Sequence, residues 1–136
     1  MTEPMREAVS VSIEVSPGEL IDKITILEIK SSRMRDLDKL RNVRKELETL
    51  TASRDRAIPA SARLTELCQM LKQVNEELWR IEDEIRDCER RRDFGPEFIE
   101  LARSVYHRND RRSSIKRDIN ELLGSQLVEE KSYTPY

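Results

Sequence analysis

The stretch from Leu64 to Cys88 constrains the fold most, because its apolar residues follow one another at alternating steps of three and four. These residues are Leu64, Leu67, Leu71, Val74, Leu78, Ile81, Ile85 and Cys88. Such spacing is the heptad pattern of a helix that buries a narrow stripe against other helices. The 136 residues include only three glycines, and aromatic residues make up 4%, which suits long helices better than a sheet. The sequence therefore predicts an all-α chain.

Proline and glycine residues divide the chain into three predicted helices. Ser16 is a typical N-cap and Pro17 suits the first helical turn. Pro59 and Pro96 mark the next two breaks. We predict helices over residues 17–56, 60–92 and 96–123, a tail over 124–136 and a loose end over 1–7. Short connections between the helices predict an antiparallel three-helix, coiled-coil-like bundle in a single domain of residues 1–136.

The segment before the first helix, AVSVSIEVS, alternates apolar and polar residues. This period predicts one short β-strand over residues 8–15 with one buried face. No second strand is evident, and an unpaired strand edge invites pairing with a second copy, with the C-terminal tail or with another protein. Val11 and Ile13 are therefore candidate interface residues.

The first half of the first helix is apolar nearly all round. Ile26 and Ile29 fall on the side opposite Leu20, at 100° per residue. Either the strand and the third helix both cover this half, or Ile26 and Ile29 belong to a dimer interface.

The apolar stripe of the third helix is interrupted within YHRNDRR. Arg108, Asn109 and Arg112 stand there between apolar layers, and a buried guanidinium needs a partner. Three interpretations are open. In the first, the arginines are neutralised within the chain by Asp38, Glu82 and Asp110. In the second, this polar layer of the bundle binds a small anion, and in the third it is a protein-binding surface. The residues that we expect to form the ligand site are Arg108, Arg112, Asn109, Asn75, Trp79 and Glu82.

Net charge, the lengths of apolar runs and the few cysteine and histidine residues limit the functions that this chain can have. Lys and Arg number 25 against 27 Asp and Glu, a net charge of −2 that disfavours nucleic acid as a partner. There is no apolar run of transmembrane length and no signal peptide, so we expect a cytoplasmic protein without membrane insertion. Cys68 and Cys88 are 20 positions apart on one predicted helix, too far for a disulfide within it, so we expect both to be reduced. The single histidine, His107, has no nucleophile beside it by spacing. No catalytic residue, metal site or cofactor is predicted.

Three blocks of the chain resemble a family of short bacterial proteins of unknown function. The blocks are SIEVSPGELIDKITILEIK, LWRIEDEIR and FIELARSVYHRNDRRSSIKRDINELLGSQLVEEKSY. The resemblance extends from about Ser12 to Tyr133 and implies a bacterial, stand-alone cytoplasmic protein. It implies no activity.

A further stretch, LIDKITILEIKSSRM, is similar to the opening of the all-helical chorismate mutases. That resemblance implies arginine and lysine side chains around a dicarboxylate, with Lys39 and Arg44 as candidates. Arg33 falls two residues too early for the pattern.

Two function classes follow from these observations. The first is a non-enzymatic helical adaptor or regulatory protein, whose partner is a second copy of itself or another protein. The alternative is a site for an anionic small molecule in the polar layer, enzymatic or not. It would be chorismate-mutase-like or related to sugar phosphates and nucleotide sugars.

Overall fold

The computed structural model describes residues 8–136, and its regular structure is helical. The helices are α1 Pro17–Arg33, α2 Leu37–Ala57, α3 Ala62–Arg90 and α4 Pro96–Leu122. The predicted all-α class is thereby confirmed. The expected loose end at residues 1–7 lies outside the described residues. None of the helices in the described part is long and apolar enough to cross a membrane.

The prediction of one helix over residues 17–56, and with it the three-helix bundle, was wrong. The chain leaves the helix at Met34, and α2 begins after Asp36, whose carboxylate accepts hydrogen bonds from the backbone N–H groups of Asp38 and Lys39. An N-cap of this kind satisfies the first N–H groups of a new helix. Leu37, an apolar residue at the break, is 76% exposed, so the apolar side of the predicted long helix does not continue through this point.

The predicted β-strand over residues 8–15 was also wrong. These residues have no regular secondary structure, and no strand occurs elsewhere among residues 8–136 to pair with them. A strand is held by hydrogen bonds to a neighbouring strand, so the alternating pattern alone cannot form one. We call residues 8–15 the N-terminal segment.

A long helical hairpin, α3 and α4, forms the centre of the fold. Helix α1 packs on both of its helices, and α2 packs on α1. The central apolar cluster joins α1 to both arms of the hairpin and consists of Ile21, Leu64, Leu67, Leu71, Val74, Ile115 and Ile119. The narrow stripe that the sequence showed on α3 therefore faces the other helices, as the heptad spacing requires.

The C-terminal tail, residues 124–136, folds back along α4. The Glu129 carboxylate accepts a hydrogen bond from Lys116, and Glu130 forms an ion pair with Arg117. At the end of the tail, the Tyr136 hydroxyl donates to Asp110, and its ring packs against His107. The tail is thus tied to α4 near its middle and at its end.

Candidate functional site

Four polar side chains at four-residue spacing lie along α4 and face the rest of the molecule. We call Arg108, Arg112, Lys116 and Asn120 the polar ladder. Residues four apart lie above one another on a helix, so the ladder is one continuous stripe. Each member binds a group from another element: Glu77 of α3, Asp22 and Glu19 of α1, and the backbone N–H of Gly18.

The centre of the ladder is a buried ion pair between Arg112 and Asp22. The guanidinium donates to both carboxylate oxygens of Asp22, through Nε at 2.9 Å and through Nη2. Asp22 is only 1% exposed, and Asn75 also donates to it at 2.9 Å. The paired carboxylate raises the pKa of Arg112 further above its usual value. One carboxylate therefore joins α1, α3 and α4.

The C-terminal half of the ladder, Lys116 and Asn120, holds the start of α1 and the tail against α4. The Lys116 ammonium donates to Glu19 at 2.8 Å and to Glu129 at 2.9 Å. Burial works against the charged form of Lys116, but these hydrogen bonds outweigh it and raise its pKa. Hydrogen bonding from Lys116 lowers the pKa of Glu129. Beyond it, the Asn120 side-chain oxygen accepts from the Gly18 N–H at 2.7 Å.

The carboxylates that neutralise the two arginines are not the ones considered from sequence. Arg108 pairs with Glu77 at 2.6 Å, and Arg112 pairs with Asp22. Glu82 instead pairs with Arg86 on its own helix, and Asp38 pairs with Arg41. Internal pairing of the arginines is thus what the geometry supports, with different acids.

Five of the six residues predicted for a ligand site line one groove of about 480 Å³. They are Asn75, Trp79, Glu82, Asn109 and Arg112. Ile26, Ile29 and Leu78 add apolar wall. The sixth, Arg108, lies outside this lining, because its guanidinium turns to Glu77 and its side chain is 45% exposed. The sequence prediction thus brought together residues that are neighbours in space, while their binding role stays a prediction.

The four candidate interface residues occupy different environments. Val11 and Ile13 are highly exposed in the N-terminal segment. Ile26 is half-buried in the wall of the groove. Ile29 is 1% exposed and packs within the chain, so its side chain is not available to a partner in this conformation.

Asp22 is the most buried carboxylate of the ladder, and the sequence interpretation missed it, as it missed Glu19, Glu77, Lys116 and Asn120. It stands between Ile21 and Ile24, in the half of α1 that is apolar nearly all round. A single carboxylate in such a setting requires a buried cation or donor. That requirement was the available signal, and it points to the interrupted stripe of α4, where Arg112 lies.

The ladder offers little for catalysis or metal binding. Its cations are engaged by carboxylates, and every buried side-chain polar atom among residues 8–136 has a hydrogen-bond partner. No group of three His, Cys, Asp or Glu side chains in the same residues could hold a metal ion. The arrangement instead fixes how α1, α3, α4 and the tail sit against one another.

The fold and the ladder define a small helical protein whose arms are joined by a buried polar network. The chain belongs to the family of unknown function DUF6165, whose model matches residues 11–136. This confirms the resemblance to an uncharacterised family. The comparisons with curated proteins and with solved structures gave no significant match.

Proposed function

We propose that this chain is a non-enzymatic helical adaptor, in which the helices present the N-terminal segment for pairing with another protein chain. One observation carries the proposal. Val9, Val11 and Ile13 are 91%, 81% and 75% exposed, although they alternate with polar residues as in a strand with one buried face. Exposed apolar side chains in such a pattern favour addition to the edge of a sheet or to a second strand.

The anchoring of the segment supports this proposal. It ends at Ser16, whose hydroxyl caps α1 by accepting from the Glu19 N–H at 3.2 Å. Two residues later, Gly18 is bound to Asn120 of α4. A segment that leaves from a fixed point loses less freedom on binding than one on a mobile linker.

Internal pairing of the arginines also supports an adaptor over an anion clamp. A guanidinium that is bonded to a buried carboxylate keeps little net charge for an incoming anion. Arg112 is bound to Asp22 in this way, while Arg108 is paired with the more exposed Glu77.

Changing Val11 and Ile13 together to Glu is expected to abolish partner binding. The matched control changes Ser10 and Ser12 to Glu, which adds the same charge to the other face of the same segment. We expect a partner captured from cell extract by the natural chain and by the control to fall at least tenfold with Val11→Glu and Ile13→Glu. Quantitative mass spectrometry measures this, and circular dichroism checks that the helices are intact. Equal capture by all three chains would contradict the proposal.

The groove supports a second candidate function, a site for a small molecule with an apolar body and an anionic end. Trp79 and Ile26 would contact the body, and Arg112 and Asn109 would donate to the anion. Sugar phosphates, nucleotide sugars and chorismate-like dicarboxylates share such an anionic end.

The dye 1-anilinonaphthalene-8-sulfonate combines these two chemical features and tests the groove. Trp79 is the only tryptophan, so energy transfer from it reports binding nearby. We expect Asn109→Glu to weaken binding severalfold, because its carboxylate repels the sulfonate. Ser114→Glu, on an exposed part of the same helix, should leave binding unchanged. Equal effects of the two variants, or no energy transfer, would remove this candidate.

A further inference from the structure

We propose that the partner of the N-terminal segment is a second copy of this chain, whose own segment pairs with it as an antiparallel two-stranded ribbon centred on Ser12. This inference rests on the adaptor function proposed above and names its partner. The pattern of the segment, its exposure and the surface beside its anchor support the pairing.

The antiparallel register centred on Ser12 gives every apolar residue of the segment an apolar partner. Residues directly opposite each other in an antiparallel pair lie on the same face. With Ser12 opposite Ser12 of the other copy, Val11 faces Ile13 and Val9 faces Val15. All four apolar residues of each copy then form one face, and the serines form the other.

Other registers fit less well. A shift by one residue sets valines opposite serines and splits the apolar face. Centring the pair on Ile13 places Val9 opposite Pro17, which already belongs to α1. Centring it on Val11 places Val15 opposite Glu7. In the Ser12 register, Glu14, the only charged residue of the segment, faces Ser10 rather than the other Glu14. The pairing therefore brings no like charges into contact.

A two-stranded ribbon needs a surface to cover its apolar face. The end of the molecule from which the segment leaves carries exposed apolar side chains. Leu122, Leu127 and Val128 are among them. They lie close in sequence to Asn120, which accepts a hydrogen bond from Gly18 of α1. They are also close to Glu129, which shares the Lys116 ammonium with Glu19 of α1. A two-fold ribbon at this end can cover the same surface on both copies, as a symmetric dimer requires.

A cysteine in place of Ser12 tests this register directly. The proposed pairing places the two Ser12 Cα atoms about 4.5–5.5 Å apart, within the range that a disulfide spans. We expect the Ser12→Cys chain to form a covalent dimer under glutathione disulfide at micromolar concentration. Adding Val11→Glu and Ile13→Glu to it should abolish that dimer.

The matched control is Ser10→Cys. In the proposed register, position 10 faces Glu14 of the other copy, and the two introduced cysteines are four positions apart along the ribbon, about 13 Å. We expect this variant to cross-link at least tenfold more slowly than Ser12→Cys. The natural chain measures the background from Cys68 and Cys88, and light scattering of that chain should give twice the monomer mass.

The outcomes separate this inference from the adaptor function. Equal cross-linking of the Ser10→Cys and Ser12→Cys chains would overturn the pairing of two copies. A monomeric natural chain together with no cross-link in the Ser12→Cys chain would overturn it as well. Capture of a different protein that depends on Val11 and Ile13 would then still support the adaptor. If the captured proteins are also indifferent to these residues, both proposals fail.

Discussion

Replacing Asp22 with alanine is expected to lower the free energy of unfolding by about 3 kcal/mol, near the lower end of the range for breaking a buried ion pair. The loss is large because Arg112 and Asn75 both donate to this carboxylate, and its removal leaves a half-buried guanidinium without a counter-charge. The Arg112 side chain is 30% exposed and can turn partly to water, which keeps the effect at that lower end. Urea unfolding followed by circular dichroism measures the difference.

Glu77→Ala is the matched control, since it breaks the neighbouring pair with Arg108 on the same ladder. That pair is more exposed, and its loss should lower the free energy of unfolding by no more than about 1 kcal/mol. Replacing both buried partners, Asp22→Leu with Arg112→Met, should recover most of the stability that Asp22→Ala loses. If Asp22→Ala and Glu77→Ala lower the free energy of unfolding equally, the Asp22–Arg112 pair is not the buried centre of the ladder.

Changing Gly18 to alanine is expected to destabilise the protein, although alanine has a higher helix propensity than glycine. In a helix, Gly→Ala alone would stabilise by about 0.5–1 kcal/mol. A Cβ at Gly18 would lie 2.6 Å from the Lys116 backbone oxygen and 2.9 Å from the Asn120 side-chain oxygen. The start of α1 must therefore move away from α4. We expect a net loss of about 1–3 kcal/mol from overpacking and the strained hydrogen bond.

Gly95→Ala provides the comparison for this change. A Cβ there would meet only an Asp93 side-chain oxygen, at 3.2 Å, and that side chain can rotate away. Thermal unfolding of both variants should show a clear loss for Gly18→Ala and a change within about 1 kcal/mol for Gly95→Ala. A Gly18→Ala chain as stable as the natural one would mean that α1 does not approach α4 as closely as described.

The helical class was predictable from sequence because the apolar spacing of α3 and the helix start at Ser16 and Pro17 are local signals. The break before α2 was not predicted, although Asp36 is a good N-cap. Its carboxylate competes with continuation of the helix, and the outcome depends on where Leu40 and Val43 are buried. Tertiary packing of α2 on α1 thus decided between one continuous helix and two helices.

The N-terminal segment shows the limit of a periodic pattern. Alternation describes which face a strand would bury, but hydrogen bonds from a neighbouring strand have to form it. Among residues 8–136 no such neighbour occurs. The pattern is therefore consistent with a strand that forms only on association, which is the basis of the adaptor proposal.

The location of the candidate site was predictable, but the acidic partners of its arginines were not. The sequence prediction grouped Asn75, Trp79 and Glu82 with Asn109 and Arg112, and these five residues do share a groove. The partner of Arg112 depended on how α1 crosses the hairpin, which the single long first helix had misplaced. Asp22 was missed for that reason.

Amide hydrogen exchange of residues 9–15 in the purified protein tests most directly whether the N-terminal segment pairs as a strand with a second chain. Pairing of two copies predicts that every second amide of the segment exchanges at least tenfold more slowly at high protein concentration than at low. Exchange as fast as in an unfolded peptide at every concentration would contradict the pairing.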